Sequence, residues 1–222
     1  TVPVLKECTM ELSKTSMTVD PEAEGSLTAT LANAGNSDWS VSMAKTGSRS
    51  AWVDYDGASS GILPYDDGDG TKTFDLTVTP DDSVTAGDES VIVILAKDGN
   101  TVKCSKDLRV IVGQSFGAGL SLSTTMLSDI EPGSSGLATL TITNQGNGMD
   151  NLRISASAPP SGWSVQLDAS TVSVGSKHAS DKSEHVEVTV NVPPNAFSSD
   201  QIEITSSVLR AGDGVAYAHV ML

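Results

Sequence analysis

Residues 65–71 read YDDGDGT, with Asp66, Asp67 and Asp69 set among glycines, and Asp54 and Asp56 lie a few positions upstream. Carboxylates on a glycine-turned loop are what calcium requires, since the ion takes about six to eight hard oxygen ligands. The spacing is not that of an EF-hand and no glutamate closes the loop. The alternatives are therefore a calcium site at Asp54, Asp56, Asp66, Asp67 and Asp69, or a solvated acidic hairpin. Trp39, Tyr55 and Tyr65 share this neighbourhood. Flat rings stack on pyranose faces and carboxylates accept sugar hydroxyls, so a sugar-stacking surface is a second candidate; the alternative is that the rings cover an enlarged loop.

Two further patterns carry less. Residues 57–61, GASSG, match the G-x-S-x-G motif, which makes a nucleophile only on a strand-to-helix elbow. The three histidines, His178, His185 and His219, all lie in the other half of the chain. His178 and His185 flank a polar loop without cysteines at zinc spacing. No catalytic residue is assigned, and the chain is read as a non-enzyme.

The elements that hold these residues are short and alternating. Ser, Thr, Gly, Val and Asp dominate and strong helix formers are sparse, a bias toward an all-β fold. The longest unbroken apolar run is VIVILA at residues 91–96, far short of the roughly 20 residues of a spanning helix. A net charge of −15 repels phosphate backbones and argues against nucleic acid as a partner; the scattered acids read as a solvated surface, one suited to salty water.

The chain matches itself at an offset of 111 residues. LANAGN at 31–36 falls on ITNQGN at 142–147, Gly25 on Gly136, and Trp52 on Trp163. After a small insertion, LTVTP at 76–80 meets VTVNVP at 188–193 and Asp88 meets Asp200. This is a tandem duplication, with expected domains 1–113 and 114–222. Each copy reads as about seven strands of an immunoglobulin-like sandwich. In the first these cover 9–19 (one strand or a strand pair), 25–32, 39–44, 51–55, 71–79, 90–96 and 101–112, the continuously apolar 90–96 being expected to be covered on both sides. In the second they cover 120–130, 136–143, 152–156, 163–167, 186–192, 202–209 and 215–222, with Gly212-Asp213-Gly214 closing the last hairpin. The repeated Asn-x-Gly-Asn is read as a turn whose Asn and Gly accept positive φ. Both matched tryptophans are read as core. The same offset sets residues 1–6 against 112–117, so the chain is expected to be cut from something longer, with a unit or an anchor upstream.

Residues 162–167, GWSVQL, followed by a Gly/Ser-rich stretch and VEVTVNVPP at 186–194, resemble the NEW3/CARDB-type immunoglobulin-like modules of prokaryotic, often archaeal, surface and secreted proteins. The Asn-x-Gly-Asn strand end fits the same pattern. The first copy departs from it: Ala51 precedes Trp52, and Asp81 follows Pro80. The resemblance implies an extracellular spacer or adhesion module and carries over no functional residue.

Cys8 falls at the start of the first strand of copy one and Cys104 on its last strand. In such sandwiches these strands commonly run side by side, so a disulfide stapling the unit's ends is expected; the alternative is two buried thiols. The bond implies an oxidising compartment. The second copy has no matching cysteines.

The expected function is thus a structural or adhesive module outside the cell or on its surface. Its partners would be other copies of itself or neighbouring surface proteins, as in a filament or surface layer built by β-strand edges. The alternative is a carbohydrate-binding accessory module of a secreted polysaccharide-degrading enzyme.

Overall fold

The computed structural model describes residues 2–197, 200, 202–212 and 214–222. Asp213, in the hairpin expected near the C-terminal end, lies outside the described residues. The chain is all-β and divides into two compact units, Thr1–Gln114 and Ser115–Leu222. Among the described residues the only helices are two short 3-10 turns, Ser50–Trp52 and Asp66–Gly68, and no helix is long and apolar enough to cross a membrane.

Unit one runs β1 (Cys8–Leu12), β2 (Ser16–Val19), β3 (Gly25–Asn33), β4 (Trp39–Thr46), β5 (Val53–Tyr55), β6 (Ser60–Leu63), β7 (Thr71–Val78), β8 (Glu89–Asp98) and β9 (Thr101–Val112). One sheet has the order β1-β3-β7-β5 and the other β2-β9-β8-β4-β6. Leu27, Ala29 and Leu31 of β3 and Phe74, Leu76 and Val78 of β7 alternate inward from the first sheet. Val41 of β4, Ile92 and Ile94 of β8 and Leu108 and Val110 of β9 do so from the second, and all join one buried cluster. This is a β-sandwich, with period-two alternation burying one face of each strand.

Unit two runs β10 (Ala118–Leu122), β11 (Ser135–Asn144), β12 (Asp150–Ala156), β13 (Ser164–Leu167), β14 (Thr171–Val174), β15 (Ser183–Asn191), β16 (Thr205–Arg210) and β17 (Ala216–Met221). Its sheets are ordered β10-β11-β15-β13 and β14-β12-β16-β17, around Leu140, Ile142, Leu152, Ile154, Val186, Val188, Ile204 and Val208.

Irregularities recur as well as strands. β8 slips register between Ala96 and Lys97 against β9, and β16 slips between Val208 and Leu209 against β17. Thr28 and Ser13 bridge strand to turn by paired bonds, as do Thr139 and Ser123. Asp88 accepts from the Thr85 amide, and Asp200 from the Phe197 amide.

Residues 9–19 form the strand pair of the two alternatives, in different sheets, because the turn at 13–15 carries the chain across the sandwich. Two sequence expectations are corrected. Residues 123–130 are not strand. And β8 is covered on one face only: Ile92 is fully buried but Val91 is 53% exposed, its β-branched side chain suiting the pleat without burial.

Candidate functional site

The repeated Asn-x-Gly-Asn is a built corner, and its chemistry is spent on backbone. Asn33, 4% exposed at the end of β3, donates from Nδ2 to the carbonyls of Ser37, Leu63 and Pro64 at 3.0, 3.4 and 3.0 Å. Its Oδ1 accepts from the Gly35 amide at 2.8 Å. Asn144, 1% exposed at the end of β11, donates to Gly148, Val174 and Gly175 at 2.8, 3.5 and 2.8 Å and accepts from Gly146 at 2.7 Å. In both units the partners lie 4, 30, 31 and 2 positions away in sequence. A side-chain amide that satisfies several buried carbonyls is costly to lose, because each is left desolvated without a donor.

The second asparagine holds the chain entering the unit. Asn36 Oδ1 accepts from the Leu5 amide at 2.8 Å and its Nδ2 donates to the Pro3 carbonyl at 2.9 Å. Asn147 Oδ1 accepts from the Ser115 amide at 2.8 Å and from its hydroxyl at 3.1 Å. The glycine between is required by space. A Cβ on Gly35 would overlap the Leu5 carbonyl oxygen, and one on Gly146 the Ser115 carbonyl oxygen. Neither glycine has positive φ, so the expectation of a left-handed turn is replaced by one of close backbone approach.

Cys8 and Cys104 are joined by a disulfide, with Cα atoms 5.6 Å apart. The two strands are not neighbours in one sheet: β1 pairs with β3, while β9 lies between β2, in parallel, and β8, antiparallel. The bond therefore links the two sheets.

The aspartates of the acidic loop stand apart from one another. Among the described residues no group of three or more His, Cys, Asp or Glu is placed to hold a metal ion. Asp54 stands on β5 and pairs with Lys45 at 2.7 Å. Asp66 and Asp67 are exposed on a 3-10 turn, Asp69 is exposed directly after it, and Asp56 is exposed beyond β5. The loop is closed by backbone instead, Gly68 and Gly70 donating to the Tyr65 carbonyl and the Tyr65 amide donating to Asp38 Oδ1. His185 faces Thr141 across the β11–β15 pair, Nδ1 to Oγ1 3.0 Å.

The proposed sugar-stacking trio is also divided. Trp39 is 3% exposed and has no face to offer a sugar. Tyr55 is half-buried against the core, and burial pushes its hydroxyl up to about 12. Tyr65 is half-buried at the loop. Trp39 opens β4 at a position whose inward parity runs on through Val41 and Met43, which explains the burial.

The matched tryptophans have different surroundings. Trp52 is 5% exposed and donates Nε1–H to Asp81 Oδ2 at 2.9 Å, with the Arg49 guanidinium 5.1 Å from its ring centre. Hydrogen bonds from Ser83 and then Trp52 hold the Asp81 carboxyl below its ordinary range. Asp81 was the residue by which the first copy departs from the family pattern, so the signal was present but unread. Trp163 is only partly buried beside its core and lines an open groove of about 600 Å³ with Leu127, Ile130, Val192, Ile202 and Leu222.

Residues 130–208, within unit two, match the family described as the NPCBM-associated, NEW3 domain of alpha-galactosidase. The second unit is thus a NEW3-type immunoglobulin-like module. No curated protein matches the chain. Among solved structures, Escherichia coli alpha-2-macroglobulin activated by porcine elastase is 13% identical over 98% of this chain and 22% of its own, with TM-score 0.35. The chain thus spans less than a quarter of that protein. Domains 5-6 of the S-layer protein SbsC are 16% identical over 99% of this chain and 97% of theirs, TM-score 0.33. CBD12 from CALX1.2 is 13% identical over 93% and 83%, TM-score 0.35. Likenesses of this degree carry no functional argument.

Proposed function

We propose that the chain is a force-bearing structural or adhesive module of an extracellular or cell-surface protein, with unit one as its locked element. The observation that supports this reading most is the placement of the disulfide. Cys8 and Cys104 are 96 positions apart in sequence and bracket nearly the whole of unit one, so tension applied at that unit's two ends runs through a covalent bond. The Asn36 clamp on Pro3 and Leu5 anchors the incoming chain just ahead of it. A disulfide of this kind belongs to an oxidising compartment, in keeping with a position outside the cell. Association with like modules through exposed strand edges is the finer part of the reading.

Pulling single molecules of the full chain from both ends tests it. Without reductant, unit two should release roughly 350 Å of chain at about 3.4 Å per residue, while unit one withholds the segment inside its staple. With reductant a second release of about 320 Å should appear. Two releases of this size from the oxidised chain would overturn the reading.

The second reading, a carbohydrate-binding accessory module, is favoured by the family description for residues 130–208. Saturable binding to a plant or microbial polysaccharide, lost in Tyr65→Ala, would support it over the mechanical one.

A further inference from the structure

The apolar run at 91–96 sends alternate side chains to the two faces of β8. Ile92, Ile94 and Ala96 are fully buried in the core of unit one. Val91, Val93 and Leu95 point the other way, onto the outer face of the sheet β2-β9-β8-β4-β6. Val91 is 53% exposed, and Val93 and Leu95 are half-buried. Their neighbours on that face are Ala44 and Thr46 of β4 on one side and Ser105, Asp107 and Arg109 of β9 on the other.

Unit two shows that the fold does not require this aliphatic stripe. The register slips at Ala96–Lys97 and Val208–Leu209 align β8 with β16. Val91, Val93 and Leu95 then fall on Glu203, Thr205 and Ser207, a polar set suited to water. Three aliphatics at the matching outward positions of unit one mark a contact surface.

Charge at the ends of the stripe selects the occupant. The outward positions of β8 read Glu89, Val91, Val93, Leu95 and Lys97: acid, three aliphatics, base. Reversed, this order is its own complement. A second molecule turned end for end about a two-fold axis through Val93 lays Val91 on Leu95, Val93 on Val93, and Glu89 on Lys97 at both ends. Glu89 is held in place by Arg109, whose Nε and Nη2 donate to its two oxygens. Lys97 is in no ion pair among the described residues. On the β9 flank two Asp107 and two Arg109 side chains would share the rim and cancel.

We propose that the outer face of β8 is a dimer contact between two molecules of this chain, sheet face on sheet face with the β8 strands antiparallel. A two-fold interface needs a patch complementary to itself, and the order of charges along β8 supplies one. The proposal goes beyond the strand-edge association above, since it uses side chains of a face and no open backbone. Dimerisation and the force response of the staple fail separately.

Sedimentation of the full chain over a concentration series tests it. A monomer–dimer equilibrium should appear below about 1 mM. It should tighten in sulfate, which screens the net charge of −15 on each molecule and strengthens apolar burial. The triple variant Val91→Glu, Val93→Thr, Leu95→Ser carries the residues of unit two. It should weaken the dimer at least about tenfold, since the apolar area is lost and a carboxylate enters the contact. Lys97→Glu should weaken it roughly two- to fivefold, as expected for surface ion pairs, and an equimolar mixture with the Glu89→Lys chain should recover the loss as a mixed dimer. A chain that stays monomeric at about 1 mM, a dimer indifferent to the triple variant, or a mixture no tighter than Lys97→Glu alone would each overturn the proposal. So would occupation of the stripe by a different protein while the chain itself stays monomeric.

Discussion

Unit one and unit two share a framework and differ in how it is closed. Both have the asparagine corner, the Ser–Thr bridge, the slip before the last hairpin and the aspartate that caps the turn ahead of the following strand. Unit one adds a disulfide between its sheets, an acceptor for its tryptophan and a parallel strand on its last edge. Unit two has none of these features among its described residues. It buries Ser206, with an unpartnered Oγ, where unit one buries Ile94. What repeats is what the fold needs, and what differs marks where each copy has been adapted.

The largest difference to break is the staple. In the chain-entropy model, cross-linking residues this far apart contributes about 4–5 kcal/mol. Cys104→Ser should lower the stability of unit one by roughly that amount and leave unit two's transition unmoved, as read by calorimetry of the full chain. Equal shifts in both transitions would show that the units do not unfold independently.

Next is the corner, where the comparison predicts sameness. Asn33→Ala and Asn144→Ala each strand several buried carbonyls, at about 1–3 kcal/mol for an unsatisfied buried group. Each should destabilise its own unit by about 3 kcal/mol in denaturant titrations. A cost confined to one unit would mean that the matched bonds are not equally used.

Ser206→Ala runs the other way. Removing a buried hydroxyl without a partner should stabilise unit two by about 1 kcal/mol, whereas the same assay on unit one has no such residue to relieve at Ile94. The smallest effect is titration of Asp81. Its folded pKa lies below the ordinary value of 3.8, so its contribution is present above pH 4 and is lost as pH falls through the folded value. Acid unfolding should therefore lose a component of unit one's stability that Asp81→Asn lacks throughout.

Much of this was legible because duplication doubles each signal. Alternating Leu27, Ala29 and Leu31 against Ala138, Leu140 and Ile142 placed strands and core parity, and the paired Asn-x-Gly-Asn marked a shared turn. The reason for that turn was not legible, since it depends on carbonyls about 30 residues away and on the entering chain at Leu5 and Ser115. The short strands β6 and β14 were hidden in loops rich in Gly, Ser and Thr, where four residues give no period. How the acidic loop is held was not legible either, since it depends on Asp38 and on backbone bonds to the Tyr65 carbonyl. The half-burial of Trp163 was beyond reach because it turns on residues 127–130, whose apolar alternation matches that of β2 although their pairing does not.

Hydrogen exchange along the native chain tests the central contrast most directly. Amides of Met17, Thr18, Val19, Val110 and Ile111 should be protected close to the global stability of unit one, and those of Leu127, Ser128, Asp129 and Ile130 should exchange far faster. Equal protection of the two segments would contradict the account, for it would mean that both units close their last edge in the same way.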